Sequence, residues 1–163
     1  MPTTHHAREE RFGRYFDQYE VGDVFVHWPG KTVTEADDHL FCLLTLAASP
    51  LHIDRAFGEK EMALGRNIVV GTYIYSLLLG MSVPDISGRA IANLGVSDLR
   101  HLAPLFHGDT LYGRSEIVAL RASASRPGEG ILTARTDGFN QDQLLVCTFT
   151  RAVLLPMRPG GPQ

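Results

Sequence analysis

Gly71-Thr72-Tyr73-Ile74-Tyr75-Ser76-Leu77-Leu78-Leu79-Gly80-Met81 is apolar on nearly every face of a helix. A helix of that kind is buried on most sides, so something must wrap it. The wider apolar run from Ile68 to Val83 is interrupted by Gly71, Thr72, Ser76 and Gly80 and is too short and mixed for a membrane span. The wrapper lies C-terminal to it, where strand-like segments alternate with turn formers: Ala90–Leu94, Gly95–His101, Thr110–Ser123, Gly130–Asn140 and Gln143–Leu154. Arg126-Pro127-Gly128-Glu129-Gly130 and Asn140-Gln141-Asp142 read as hairpin turns, because Gly and Asn tolerate positive φ. These segments imply an α+β domain in which an antiparallel sheet closes around one buried helix.

Upstream of that helix, Tyr19 to Asp23 reads as a turn, Val24 to Trp28 as a short strand and Pro29-Gly30 as a second turn. Thr34-Glu35-Ala36-Asp37 has the form of a capping box with Asp in place of the usual Glu, and Glu35, Asp37 and Asp38 suit a helix N-terminal dipole. A helix from Glu35 to Ala47 follows, with Ala36, Leu40, Leu43, Leu44 and Ala47 near one face. Pro50 stops it. Proline fixes its own φ and disfavours helical geometry at Ser49, which predicts that a rigid turn presents His52. A short helix is expected around Ala56 to Ala63.

The 163 residues are 44% apolar and 20% charged, ordinary for one globular domain. We read residues 1–14 as a flexible leader, 15–155 as the domain and 156–163 as a disordered tail. A net charge of −3, with no Lys/Arg cluster, argues against nucleic acid and against an anionic membrane as partners. Cys42 and Cys147 lie far apart without metal-ligand spacing, so reduced structural thiols in a cytoplasmic protein are expected, with no metal site. No Ser-His-Asp order and no phosphate-binding glycine loop is present.

Three stretches give the chain a family resemblance: Thr32-Val33-Thr34-Glu35-Ala36-Asp37, Pro50-Leu51-His52-Ile53-Asp54 and Ala103-Pro104-Leu105-Phe106-His107-Gly108-Asp109-Thr110-Leu111. Together they resemble the MaoC-like dehydratases and R-specific enoyl-CoA hydratases. Ala92 to Arg100 and the Ser125-Arg126-Pro127-Gly128 hairpin look closest to the mesaconyl-CoA hydratase-like subgroup. The resemblance implies a hotdog fold, an antiparallel sheet of five or six strands wrapped around a long central helix, paired as a homodimer. It also implies a lyase that hydrates or dehydrates a short, branched or dicarboxylic acyl-CoA, with no cofactor beyond the coenzyme A of the substrate.

The family's hydratase motif, Gly-Asp-x-Asn-Pro-Leu-His, places its His on His52, its Asp on Ala47 and its Asn on Ser49. Its oxyanion donor falls on Gly71, in a His-Gly pair that here reads Val70-Gly71. Hydration of a 2-enoyl thioester needs a base for water, a proton for the α carbon and donors for the enolate oxygen. The resemblance therefore assigns catalysis to His52 and Gly71, with Asp54 and Ser49 as further candidates. Asp54 has a plainer reading as a helix cap, and Ser49 one as a turn former. Val70, Thr72, Asn93 and Arg100 are the candidates for substrate contact. His101, His107 and Arg66 are expected at the surface, where coenzyme A phosphates would pass; Tyr73 and Tyr75 are expected in the core, and Asp109 in a turn. Two alternatives stay open: an acyl-CoA thioesterase, and a binding module that has lost catalysis at Ala47.

Overall fold

In the computed structural model, which describes residues 12–160, the capping box opens helix α1 (Glu35–Thr45). Thr34 Oγ1 accepts the Asp37 amide (3.1 Å) and Asp37 Oδ2 accepts the Thr34 amide (3.0 Å). The helix ends earlier than expected, at Leu46, which takes a left-handed conformation (φ 59°).

The chain then forms two short helices, α2 (Pro50–Ile53) and α3 (Arg55–Glu61), where a turn and one helix were expected. The difference lies in where Pro50 sits. Inside a helix it would break the ladder, but at the first helical position its fixed φ fits and its missing N–H would have had no partner. Ser49 stays extended (ψ 136°), as a residue before proline must, and caps α2 through Oγ. His52 therefore rides on one helical turn.

The central helix α4 (Gly71–Ser82) runs into a π-helical turn, Val83–Ser87. Six antiparallel strands form the sheet on which it lies: β1 (Val24–Val26), β2 (Lys31–Thr32), β3 (Ala92–His101), β4 (Thr110–Ala122), β5 (Glu129–Phe139) and β6 (Leu145–Pro156). The sheet order is β1-β4-β5-β6-β3, with β2 also on β4. This is the expected hotdog arrangement. The two segments Ala90–Leu94 and Gly95–His101 are one strand with two irregularities, because Leu94, just before Gly95, and the left-handed Asp98 are absorbed as bulges instead of making a turn.

Helix α4 is less enclosed than its composition predicts. Ile74, Leu78 and Ser82 form its buried stripe, spaced four apart, while Thr72, Ser76 and Gly80 are exposed and Tyr73, Tyr75, Leu77, Leu79 and Met81 are half-buried. The sheet curls around one side only. Contact there is close: a Cβ at Gly138 would stand 2.5 Å from Leu78 Cδ1, and one at Gly113 3.2 Å from Leu78 Cδ2. Tyr73 stacks on Phe41 and Tyr75 meets Phe149 edge-on.

At the far end of α4 polar groups are buried beside an apolar cluster that includes Ile86, Ile117 and Leu132. His27 bonds Asp85 through Nδ1 (2.7 Å) and Ser115 through Nε2 (2.8 Å), tying the π-helical turn to the sheet. Arg151, 1% exposed, donates to Ser82 Oγ (3.0 Å). Pro156, where the tail was expected to begin, still pairs with Glu129, and Arg158 is held by Asp17 (Nε to Oδ2, 2.6 Å). Gly13, inside the expected leader, donates its amide to Pro84 O (2.8 Å); residues 1–11 and 161–163 lie outside the described residues. No helix of the described residues is long and apolar enough to cross a membrane.

Candidate active site

His52 is fixed by its own short helix and by the strap that follows. Its Nδ1 lies 2.9 Å from the Ile68 carbonyl. A carbonyl only accepts, so Nδ1 carries a proton, and in the tautomer this fixes Nε2 is the nitrogen left to accept one. Asn67, buried, holds the α2 turn by donating Nδ2 to the carbonyls of Pro50 (3.0 Å), Leu51 (2.9 Å) and Asp54 (3.1 Å). Gly58 lets this happen, since a Cβ there would meet the Asn67 backbone nitrogen and Oδ1 at 2.8 Å.

Gly71 is the first residue of α4. The opening amides of a helix have no intrahelical partner, and the dipole makes that end attractive to negative charge. The strand-like approach to it is pinned from below: Val69 donates to Leu105 O (2.8 Å), and Val70 donates to Asp38 Oδ1 (3.0 Å). Asp38 is fully buried, and its other oxygen accepts from His107 Nε2 (2.9 Å). A carboxylate buried with two donors is satisfied, and here it sets the direction in which the helix starts.

His52 and Gly71 share a pocket of about 440 Å³ whose other walls include Ile68, Ile74, His101 and Leu102. That volume lies in the range of small-molecule sites, and the lining is mostly apolar. His101 is exposed, as expected, at the end of β3, and its ring lies against Gly71. A Cβ at position 71 would stand 2.7 Å from His101 Nε2, so only glycine leaves the ring its place.

The other candidates sit elsewhere. Ser49 caps α2, and Asp54 caps α3 by accepting the Phe57 amide (3.1 Å), its plainer reading. Ala47 follows α1 and donates its amide to Cys42 O (2.9 Å). Val70 is buried beside the pocket, Thr72 is exposed on α4, and Asn93 and Arg100 are exposed along β3; none of these lines the pocket. Arg66 stacks over the Phe106 ring, 3.4 Å from its centroid, beside a second hollow of about 210 Å³ that also reaches Arg55, Asn67 and His107. Asp109 holds its turn by accepting from the Phe106 amide (2.9 Å).

Sequence reasoning passed over Asn67, and it read Asp38 only as a charge near a helix start. Neither carries a local signal, because the partners of Asn67 lie 13 to 17 residues away and those of Asp38 lie 32 and 69 away. Among the described residues no group of three or more His, Cys, Asp and Glu could hold a metal ion.

Comparison with known proteins gives the family and agrees with the fold. A family model described as mesaconyl-CoA hydratase matches residues 3–161. The mesaconyl-CoA hydratase of Cereibacter sphaeroides is 33% identical over 146 residues, covering 90% of this chain and 42% of that protein. The beta-methylmalyl-CoA dehydratase of Chloroflexus aurantiacus is 31% identical over 152 residues, covering 92% of this chain and 42% of that protein. Among solved structures, a MaoC domain dehydratase from Chloroflexus aurantiacus aligns with a TM-score of 0.86 at 29% identity, over 93% of this chain and 42% of that one. The chain therefore spans less than half the length of these relatives.

Proposed function

The chain belongs to the mesaconyl-CoA hydratase family, and on that footing we propose that it hydrates or dehydrates a short, branched or dicarboxylic 2-enoyl-CoA or 3-hydroxyacyl-CoA thioester. It works as a homodimer and needs no cofactor beyond the coenzyme A of its substrate. The observation that carries this reading is the meeting of His52 and the start of α4 in one apolar pocket. With Nδ1–H committed to Ile68, Nε2 of His52 is free to take a proton from water as the water oxygen adds to the β carbon. Negative charge then builds on the thioester oxygen, where the Gly71 amide supplies a preorganised donor.

The two relatives in the comparison are a hydratase and a dehydratase of CoA thioesters. That leaves the thioesterase and the non-catalytic binding module without support. The unpaired edge strand β3 favours a dimer, since Leu94, Val96 and Leu99 all stand exposed on it.

The test is a panel of 2-enoyl- and 3-hydroxyacyl-CoAs followed by loss or gain of enoyl absorbance. We expect turnover on short branched or dicarboxylic members and a fall in kcat of roughly 10² to 10⁴ for His52→Ala, the usual range for losing a general base. Release of free thiol without any change at the double bond would instead establish a thioesterase. A fully active His52→Ala variant would remove His52 from the mechanism.

A further inference from the structure

Reversible hydration moves two protons, one at the water oxygen and one at the α carbon. The family places an acid at position 47, and this chain has Ala47 there, outside the pocket. The pocket lining nevertheless contains two titratable side chains and no others among the described residues, His52 on α2 and His101 at the end of β3. His101 differs from the other histidines near the site. His107 is committed to the buried Asp38 (2.9 Å), and His39, whose buried Nε2 has no hydrogen bond among the described residues, does not line the pocket. Neither ring nitrogen of His101 has a hydrogen-bond partner among the described residues. Its ring edge, Nε2 and Cε1, lies against Gly71, where a Cβ would approach to 2.7 and 2.8 Å. An exposed imidazole with no hydrogen bond to the described residues thereby lies beside the start of α4.

We propose that His101 is the second proton-transfer group of this site, in place of the carboxylate that position 47 lacks. This rests on the hydration reading above. In the forward direction His52 Nε2 takes a proton from water while the water oxygen bonds the β carbon, and the π pair moves to form an enolate whose oxygen faces the Gly71 amide. The enolate collapses, and its α carbon takes a proton from the His101 imidazolium. His52 is left protonated and His101 neutral, and exchange with solvent restores both, so that one water is added overall. Dehydration runs the same steps backwards. An imidazole suits either role because it accepts a proton at one nitrogen and, once protonated, can give one back.

The experiment compares the parent with His101→Gln and His101→Ala on a substrate that the parent turns over. For His101→Gln we expect kcat to fall by roughly 10² to 10⁴ with KM within about threefold. For His101→Ala we expect added imidazole to restore part of kcat, a response that a packing role would not give. An unchanged kcat in His101→Gln overturns the proposal. So does a change confined to KM, which would make His101 a substrate-binding residue, and so does a loss of kcat that imidazole fails to relieve. A parent that turns over none of the panel overturns the hydration reading and this proposal together. A parent that depends on His52 but not on His101 overturns this proposal alone.

Discussion

Asp37 shows how much one side chain at a helix start can hold. Its carboxylate accepts from the Thr34 amide and from Lys31 Nζ (2.7 Å), and these bonds, the Lys31 bond foremost, lower its pKa from the ordinary carboxylate value to about 2. A carboxyl with a folded pKa below its unfolded value stabilises the fold fully above the unfolded value, near 4. That contribution disappears as pH falls through about 2. Asp37→Asn should therefore lower the unfolding free energy at pH 7 by about 1 kcal/mol, since the pair is partly exposed. The gap between parent and variant should close as the pH is lowered towards 2, read by chemical denaturation at a series of pH values. A gap that stays constant across that range would mean that Asp37 acts through packing and not through charge. Signals of this kind are local, and the sequence carries them: Thr34 and Asp37 stand three apart, and the cap at Asp54 lies three residues before the amide that it accepts. His101, Asn67 and Asp38 offered nothing comparable. What makes each of them part of the site is a partner far along the chain, and neither propensity nor periodicity encodes that.

At the scale of elements, the position of α4 is set by two glycines in the sheet beneath it. Leu78 is fully buried and its methyl groups occupy the space where a side chain at Gly138 would begin, the nearest at 2.5 Å, with Gly113 close by. Gly138→Ala should cost about 1 to 3 kcal/mol, the range for overpacking a filled core, because neither the strand nor the helix can retreat without disturbing its neighbours. Gly95→Ala on β3 is the control, since nothing lies within 4 Å of a Cβ there. The comparison is made by thermal unfolding, and equal losses at the two positions would remove the close approach of helix and sheet as the cause. The helix itself was readable from its apolar run, and β4, β5 and β6 from alternation and turn residues. The one-turn helix α2 was not, because Pro50 reads as a stop until Ser49 is seen to cap the turn that follows. Nor was the joining of two expected strands into β3, because Gly95 signals a break and only pairing with β6 shows that the strand runs on through it.

At the scale of the molecule, the fold leaves one side open. Leu94, Val96 and Leu99 are 50%, 43% and 41% exposed along β3, which pairs with β6 on one edge and with no strand on the other. The outward side of α4, with Thr72, Ser76 and Gly80, is exposed as well. An unpaired strand of ten residues with large apolar side chains is a template for a second strand, and natural proteins seldom leave one uncovered. The relatives named above are more than twice as long as the part of them that this chain matches, so they have room for a second unit within one chain. A second copy of this chain would serve the same end here. Since β3 ends at His101, pairing along that edge would also bear on the pocket. Charge placed on the edge tests both points together: Val96→Lys with Leu99→Lys should shift the protein in sedimentation from dimer to monomer while far-ultraviolet circular dichroism stays unchanged, because neither side chain is buried. Activity should fall with the dimer and recover at high protein concentration, as mass action requires. A parent that already sediments as a monomer of 18.0 kDa and is fully active would show that the exposed edge has no part in the reaction.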